Sequence, residues 1–421
     1  MKIAVLTETR PGETRVAASP ETVKKLTALG AEIVVQSGAG AHSNFADAAY
    51  SEAGAAIASS ATDAARGVDL TLKVQRPTVE ELSLLERGSK LIAILSPHAE
   101  PALLQAYADA GVDAFAMDLM PRITRAQSMD VLSSQSNLAG YKAVIDAAAY
   151  YGRALPMMMT AAGTISAARV FVMGAGVAGL QAIATARRLG AVVSATDVRF
   201  AAKEQVQSLG ATFVTVDEEA MKNAETAGGY AKEMSADFQK RQAEYVGEHL
   251  KKQNIVITTA LIPGRPAPRL VTDAMLQSMK PGSVLVDLAV DNGGNVEGAV
   301  PGEMVERHGV LIVGYRNTAA RLPAVASQLY ARNLLTFLQL SLKKEGEGDS
   351  QATVLSVPWD DEIVKGTLVT RDGAVVHPAL APKPAESAPA PGSAPAPAPL
   401  DTNAPAAGNP AAGSDSKGGE A

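Results

Sequence analysis

The chain has 421 residues, a formal net charge of −6 and no cysteine, and only 19% of its residues are charged. At roughly 150 residues per domain, this length predicts two or three domains with room for a large core. The lack of cysteine excludes disulfide bonds, thiolate catalysis and cysteine-ligated metal centres. A sequence pI near 5.5 argues against a nucleic-acid-binding surface, which needs a basic face.

The first 120 residues alternate short apolar runs with helical stretches. The predicted strands of this region are Ile3–Leu6, Ile33–Val35, Leu91–Leu95 and Ala114–Met117. Ser19 followed by Pro20 predicts the start of a helix, which Gly30 would end. Strands separated by helices are typical of βαβ units, so this region predicts a parallel sheet.

A long helix over about Leu138–Tyr151 is expected to join two domains, and a second α/β series follows it. The predicted strands of the second series are Val170–Met173, Val192–Thr196, Ile255–Thr258, Val284–Leu288 and Val310–Val313. Pro323–Leu342 predicts an amphipathic helix, followed by polar residues 343–352. Thr367–Thr370 and Ala374–Val376 then predict short strands, too few for a domain, which we expect to pack on the first one.

Three glycines in the pattern G-x-G-x-x-G follow the first strand of the second series and open a predicted helix. Gly174 permits a tight turn, Gly176 lets the backbone approach a pyrophosphate, and Gly179 lets the helix pack on the strand. Asp197 lies 18 residues after Gly179, near the spacing expected for the acid that binds a ribose 2′-OH. The pattern favours a dinucleotide site over an ordinary glycine turn. The carboxylate favours NAD, with NADP left open by Arg199.

The predicted fold class is therefore α/β, with two Rossmann-like, doubly wound parallel-sheet domains. We predict a discontinuous first domain from residues 1–137 and 318–380, with an NAD(H)-binding Rossmann domain at 138–317 inserted in it. Residues 381–421 are rich in alanine and proline and contain no aromatic residue, which predicts a disordered tail. No transmembrane segment is predicted, because Arg169 divides residues 154–186 into uncharged runs of 15 and 17 residues, too short to span a bilayer.

The segment from Pro121 to Asn137 is dense in hydrogen-bonding side chains and lies where a cleft between the domains is expected. An interdomain loop with helix caps would explain this composition equally well. Four segments resemble the NAD(H)-binding (alpha, domain I) subunit of the proton-translocating nicotinamide nucleotide transhydrogenases, which are related to alanine dehydrogenase. These segments are residues 125–130 (RAQSMD), 133–141 (SSQSNLAGY), 157–164 (MMMTAAGT) and 224–234 (AETAGGYAKEM).

The resemblance covers residues 1–380 and implies a function. It implies an oxidoreductase subunit that takes part in direct hydride transfer between NADH and NADP⁺. The NADP(H) would be bound on a partner subunit, and transfer would be coupled to proton translocation by a separate membrane-embedded channel subunit. In that family this component is a homodimer, peripheral to the inner (plasma) membrane on its cytoplasmic side, and no metal is implied.

The resemblance also implies roles for single residues. Four would line the nicotinamide site: Arg122 orienting the carboxamide, Gln127 and Asp130 fixing the ring, and Ser133 helping to position it. Those implied around the rest of the cofactor are Gly174, Gly176, Val177, Gly179, Asp197, Val198, Arg199 and Leu261. Gly229 and Tyr230 would lie on a mobile loop that closes over the nucleotide. A Gly228-Gly229 hinge in a charged insertion at 217–253 suits such a lid, although an ordinary surface loop would explain it too.

A soluble NAD-dependent alanine dehydrogenase is the alternative. That enzyme would bind its substrate with an Arg and a Lys and move protons with a His and an Asp, and Arg15, Lys73 and Asp291 are compatible with this. Where its His would follow the Leu91–Leu95 strand, this chain has Ser96, and His98 comes two residues late. Asp291 departs from the Glu usual in transhydrogenases. An NAD-sensing binding module is a third, non-enzymatic alternative.

Overall fold

Two large β-sheets flanked by helices, together with two small two-stranded sheets, make up the region of the chain that the structure describes. The computed structural model describes residues 1–223, 235–262, 265–345 and 352–381. The predicted class, α/β with parallel sheets in two domains, is confirmed. The tail prediction concerns residues that, except for Ala381, lie outside the described ranges.

The strands of the described residues are, in chain order, β1 Lys2–Val5, β2 Glu32–Gln36, β3 Ala56–Ala58, β4 Leu70–Gln75, β5 Lys90–Ile94, β6 Asp113–Ala116, β7 Met158–Thr160, β8 Gly163–Ile165, β9 Arg169–Met173, β10 Val192–Thr196, β11 Thr212–Phe213, β12 Ile255–Thr258, β13 Val284–Asp287, β14 Met304–Arg307, β15 Val310–Val313, β16 Leu342–Glu345, β17 Ala352–Leu355, β18 Leu368–Arg371 and β19 Ala374–Val375.

The α-helices of the same residues are α1 Pro20–Ala28, α2 Asp47–Glu52, α3 Ala61–Ala65, α4 Val79–Leu82, α5 Pro101–Ala110, α6 Val131–Tyr150, α7 Val177–Arg188, α8 Ala202–Ser208, α9 Glu218–Asn223, α10 Ala236–Leu250, α11 Asp273–Ser278, α12 Pro323–Gln339 and α13 Glu362–Thr367. None of these helices is both long enough and apolar enough to cross a membrane.

The first sheet has the order β3-β2-β1-β4-β5-β6-β18-β19. Strands β1 to β6 pair in parallel, with Ile3 of β1 opposite Ile33 on one side and Leu70 on the other. Strand β18 pairs antiparallel with β6. The last strands of the described chain therefore extend the sheet that the first 116 residues form. The domain boundaries at residues 137, 317 and 380 stay a prediction.

The second sheet has the order β11-β10-β9-β12-β13-β15-β14 and is parallel except at the β14 edge. Its central strands read as continuous apolar runs because helices cover both faces. Helices α6, α7 and α8 contribute to the core on one face, and α10 and α11 contribute to the core on the other. The glycine pattern follows β9, the strand from which the chain winds to either side. In doubly wound sheets, ligands bind at the carboxyl ends of the strands near this point.

The bridging helix begins earlier than the sequence predicts. Helix α6 starts at Val131, not at Leu138, because Asp130 caps it by accepting a hydrogen bond from the Ser133 amide at 3.0 Å. The residues 133–137 therefore form the first turns of the helix and do not precede it. Serine and asparagine are poor helix formers in isolation, so the sequence of residues 133–137 does not predict a helix there.

Several strands were not predicted. Strand β4 contains Lys73 in the middle of an apolar run, and this lysine is buried. Strands β16 and β17 pair antiparallel, although residues 343–352 read only as a polar stretch. Strands β3, β11 and β14 are short or polar, so their sequences carry little periodic signal.

Candidate functional site

A tight turn joins β9 to α7 and contains the three glycines of the pattern. Gly174 has a φ of +104°, a left-handed conformation that glycine adopts without strain. A Cβ atom at Gly179 would lie 1.8 Å from the carbonyl oxygen of Gly174, so only glycine allows the helix to start this close to the strand. A Cβ atom at Gly176 would meet nothing within 4 Å. The turn is therefore open to a ligand on that side.

The amino end of α7 faces this opening without a side-chain cap. Gly176 is the N-cap residue, and its position supplies no side-chain hydrogen bond to the first turn. The first amides of a helix carry partial positive charge and need acceptors. A pyrophosphate group fits these amides, so the turn suits a dinucleotide such as NAD(H).

Asp197 ties the end of β10 to the glycine turn. Its Oδ2 accepts a hydrogen bond from the Ala175 amide at 2.7 Å, and its Oδ1 accepts from the Arg199 amide at 2.8 Å. The Arg199 guanidinium donates to both oxygens, at 3.0 and 3.1 Å. The sequence did not predict this tie. A ribose hydroxyl that reaches Asp197 would have to share it with, or displace, the guanidinium.

Three predicted cofactor residues are exposed apolar side chains at the ends of neighbouring strands. Val198 follows β10, Val177 opens α7 after β9, and Leu261 follows β12, with exposed fractions of 73%, 41% and 50%. Strands β10, β9 and β12 are adjacent in the sheet. Their carboxyl ends therefore place these three side chains on one rim of the sheet, where apolar side chains suit the flat rings of a ligand.

The structure describes only the segments that flank the predicted lid. Helices α9 and α10 lie on either side of the residues 224–234. Gly229, Tyr230 and the Gly228-Gly229 hinge fall within that range, outside the described residues. Their role stays a prediction.

The four predicted nicotinamide residues lie at the amino end of α6 and just before it. Asp130 and Ser133 are in direct contact, because the Ser133 hydroxyl donates to Asp130 Oδ2 at 2.5 Å. Arg122 is exposed, and its side chain has no hydrogen bond or ion pair with a described residue. The same holds for Gln127, which belongs to a 3₁₀ helix over Thr124–Met129. Two of the four are thus fixed to each other, and two project with their polar groups unengaged.

A close helix crossing joins this cluster to the glycine turn. A Cβ atom at Gly140 of α6 would lie 2.0 Å from the carbonyl oxygen of Ala178, in the first turn of α7. The Asn137 side chain also donates to Gln181 on α7 at 3.3 Å. At 1.5 Å per helical residue, Asp130 lies about 15 Å along α6 from this crossing. In the sequence, Gly140 is a lone glycine within a helical pattern, which by itself indicates close packing only weakly.

Arg15 and Lys73, which would suit an alanine dehydrogenase, are each paired with carboxylates inside the protein. Arg15 is buried and donates to both oxygens of Glu13 at 2.8 and 2.7 Å. Lys73 is buried and lies 2.7 Å from Glu81 and 3.6 Å from Glu8. A substrate carboxylate that approaches either cation would therefore compete with an internal carboxylate.

Two of these buried carboxylates have shifted pKa values in opposite directions. Burial raises the pKa of Glu8 to about 7, against the opposing charge of Lys73. Burial also disfavours ionisation of Glu13, but the hydrogen bonds and charge of Arg15, together with a hydrogen bond from Gln75, outweigh it and lower the pKa of Glu13 to about 2. Arg15 extends this network to α6 by donating to Gln135 at 2.8 Å.

Ser96, two residues after β5, occupies the position where the alternative function would need a histidine. Ser96 has a φ of +48°, and its amide donates to Asp118 at 3.0 Å. His98 is exposed, two residues further on. Asp291, which the alternative function would use for proton transfer, is half-exposed and pairs with Arg316 at 3.1 Å.

Comparison with known proteins gives consistent matches along the described chain. The model described as "Alanine dehydrogenase/PNT, N-terminal domain" matches residues 4–139, and the corresponding C-terminal domain model matches residues 143–378. The chain is 57% identical to a Rhodospirillum rubrum protein named as the first portion of NAD(P) transhydrogenase subunit alpha, covering 90% of this chain and 99% of that protein.

Two further relatives bear on the choice between functions. The chain is similar to a solved transhydrogenase structure from Sinorhizobium meliloti, with 55% identity and a TM-score of 0.77, covering 90% of this chain and all of that one. It is 32% identical to alanine dehydrogenase of Mycobacterium tuberculosis, covering 72% of this chain and 76% of that protein.

Proposed function

The chain belongs to the alanine dehydrogenase/PNT family, and we propose that it is the NAD(H)-binding subunit of a proton-pumping nicotinamide nucleotide transhydrogenase. In this function, hydride passes directly between NADH on this chain and NADP⁺ on a partner subunit. The higher identity to transhydrogenase subunits than to alanine dehydrogenase supports this choice.

One structural observation carries the choice within the family. Ser96, whose amide is bound to Asp118, stands at the end of β5, where an alanine dehydrogenase would need its histidine. Oxidation of an amino acid requires a group that accepts a proton near pH 7, and a serine hydroxyl does not. Hydride transfer between two nicotinamides needs no such group. The serine therefore fits the transhydrogenase function and not its relative.

The chain's own residues would bind, orient and shield the dinucleotide. The open side of the glycine turn and the first amides of α7 would hold the pyrophosphate, while Val177, Val198 and Leu261 would cover its adenosine half. Asp197, with Arg199, would meet the ribose. Bound NADH supplies the hydride, so catalysis reduces to positioning and exclusion of water.

At the other end, the unengaged side chains of Arg122 and Gln127 are suited to hydrogen-bond the carboxamide and the edge of the ring. Asp130 and Ser133 would fix the ring position from the helix start. Because α6 is packed on α7 at Gly140, the start of α6, with Asp130 and Ser133, is held in a fixed relation to the glycine turn. Gly229 and Tyr230 would complete the site as residues of a lid.

The proposed function requires further subunits. We propose a homodimer of this chain that docks on a membrane-embedded proton-channel subunit, peripheral to the cytoplasmic face of the inner membrane. NADP(H) would bind to a separate subunit or domain, and no nucleic acid is involved. The name of the Rhodospirillum rubrum relative, the first portion of an alpha subunit, supports such a divided assembly.

The test combines a binding measurement with a two-component assay. The protein alone should bind NADH in a fluorescence titration, neglect NADPH and leave alanine unoxidised. Addition of an isolated NADP(H)-binding subunit should start transfer from NADPH to an NAD⁺ analogue, followed by absorbance. Turnover of NAD⁺ with alanine, without turnover in the two-component assay, would instead identify an alanine dehydrogenase.

A matched pair of variants ties the binding to the glycine turn. A Cβ atom at Gly176 or at Gly152 would have no neighbouring atom within 4 Å, and neither glycine has a positive φ. Gly176→Ala should weaken NADH binding, because the added methyl occupies the approach to the α7 amides, and should lower thermal stability only slightly, because alanine is a poorer N-cap residue than glycine. Gly152→Ala should leave both unchanged. Equal NADH affinities for the two variants would place the pyrophosphate elsewhere.

A further inference from the structure

Asn333, on helix α12, connects two segments of the proposed nicotinamide site. Its Nδ2 donates to the carbonyl oxygen of Ser128 at 2.8 Å, and its Oδ1 accepts from the Ser134 hydroxyl at 2.8 Å. Ser128 follows Gln127 in the 3₁₀ helix, and Ser134 follows Ser133 in α6. One amide group therefore links the backbone that carries Gln127 to the helix that carries Ser133.

Besides the chain itself and the buried side chains of Ala126 and Met129, few contacts among the described residues fix the two segments relative to each other. The backbone bond from the Asp130 amide to the Gln127 carbonyl is long, at 3.4 Å, and 3₁₀ helices have poorer hydrogen-bond geometry than α-helices. The other end of the 3₁₀ helix is held by Arg125, which pairs with Asp361 at 2.7 and 2.9 Å. Arg125 is half-exposed, and exposed pairs contribute little. The buried amide is therefore a stronger restraint than this exposed ion pair.

The location of Asn333 fits a dedicated role. It is 8% exposed and lies among the apolar residues Tyr330, Leu334 and Phe337 on the buried face of α12. A buried amide is costly unless both its donor and its acceptor are bonded. Here each finds one partner, and the two partners belong to the two segments of the site.

We propose that Asn333 is a positioning residue for hydride transfer. It acts by holding the backbone of Gln127 at a fixed distance from Asp130 and Ser133. This inference rests on the proposed function, because it takes those residues to orient the nicotinamide. Asn333 itself is expected to act through Ser128 and Ser134 and not by touching the nucleotide.

The variant Asn333→Asp removes the donor and keeps the acceptor. At neutral pH the new carboxylate would repel the Ser128 carbonyl oxygen. Because a buried carboxyl has a raised pKa, moderately acidic solution would protonate it and restore a donor. Gln339→Glu is the matched control, since it makes the same change of amide to acid at an exposed position of the same helix.

Three measurements test the proposal on the full chain. Without nucleotide, amide hydrogen exchange over residues 124–134 should be faster in Asn333→Asp than in wild type or Gln339→Glu. The dissociation constant for NADH should change little. Transfer with the NADP(H)-binding subunit should slow about tenfold or more at about pH 8, because small misplacements of reacting groups cost up to 10²-fold. The ratio to the wild-type rate should recover towards about pH 6.

Other outcomes would overturn the proposal. An Asn333→Asp protein with wild-type exchange and wild-type transfer would show that the amide restrains nothing. Losses of NADH affinity, transfer and melting temperature in parallel, without recovery in acid, would show a structural role only. If the aspartate variant does not fold, Asn333→Leu should show slow transfer without pH recovery, and wild-type transfer in it would reject the idea. Absence of transfer in wild type and Gln339→Glu would reject the proposed function, while the exchange measurement would still decide on Asn333.

Discussion

Replacement of Gly140 by alanine tests the rigid link between the two ends of the proposed site. The added Cβ would lie 2.0 Å from the Ala178 carbonyl oxygen, and 2.8 and 3.0 Å from the Ala178 C and Cα atoms. These are backbone atoms, so α6 and α7 must separate by about 1 Å, which overpacked cores resist at about 1–3 kcal/mol or more. The helix propensity of alanine over glycine favours the variant by only about 1 kcal/mol. The steric crowding should therefore outweigh the gain in helix propensity, and the variant should be less stable than wild type.

Gly247 provides the control for this prediction. It lies within helix α10, and a Cβ there would meet the Met275 side chain at 3.5 Å, an ordinary contact. Gly247→Ala should therefore gain up to about 1 kcal/mol from propensity alone. Urea unfolding should give a lower free energy of unfolding for Gly140→Ala and a higher one for Gly247→Ala. NADH titration should show weaker binding only in Gly140→Ala. A Gly140→Ala protein as stable as wild type, with unchanged NADH affinity, would refute the argument from the helix crossing.

Three further predictions follow from single side chains. Asp197→Ala should weaken NADH binding by about 1.5–3 kcal/mol, measured by titration, because the ribose loses a charged acceptor. It should also lower the melting temperature, because Ala175 loses its partner. Since burial raises the folded-state pKa of Glu8 to about 7 from 4.5, wild-type stability should fall as pH rises through this window, by about 3 kcal/mol at most. Glu8→Gln should flatten that fall in urea unfolding at several pH values. Arg122→Ala, at an exposed side chain, should leave the melting temperature unchanged and slow two-component transfer more than it weakens NADH binding.

Each of these has an outcome that contradicts it. Unchanged NADH affinity in Asp197→Ala would show that this residue stabilises the glycine turn and does not bind the ribose. Parallel stability profiles of wild type and Glu8→Gln between about pH 4.5 and pH 7 would show that Glu8 does not titrate there. An Arg122→Ala protein whose binding and transfer fall by the same factor would show that Arg122 contributes to ground-state binding and not to ring placement.

The sequence by itself determined most of the buried strands of the second sheet and the position of the glycine turn. Val170–Met173, Ile255–Thr258 and Val310–Val313 are apolar at nearly every position, because parallel strands covered on both faces leave no polar side to obscure the pattern. Gly174 and Gly179 could be assigned because local backbone geometry alone demands glycine there. Resemblance to known relatives then supplied the residues proposed for the nicotinamide side, which composition and spacing left equally open to an interdomain loop.

Only the tertiary structure decided how these pieces are joined. Gly140 contacts α7 and Asn333 reaches Ser128 from about two hundred residues away in sequence, and no local pattern encodes such distant partners. The early start of α6 depended on the Asp130 cap, a single hydrogen bond that propensities do not reveal. Lys73 is accommodated within β4 because its ammonium group lies 2.7 Å from Glu81 and 3.6 Å from Glu8, and no local pattern in the sequence reveals these partners. Local signals fix which segments fold, whereas contacts between distant segments fix the geometry of the site.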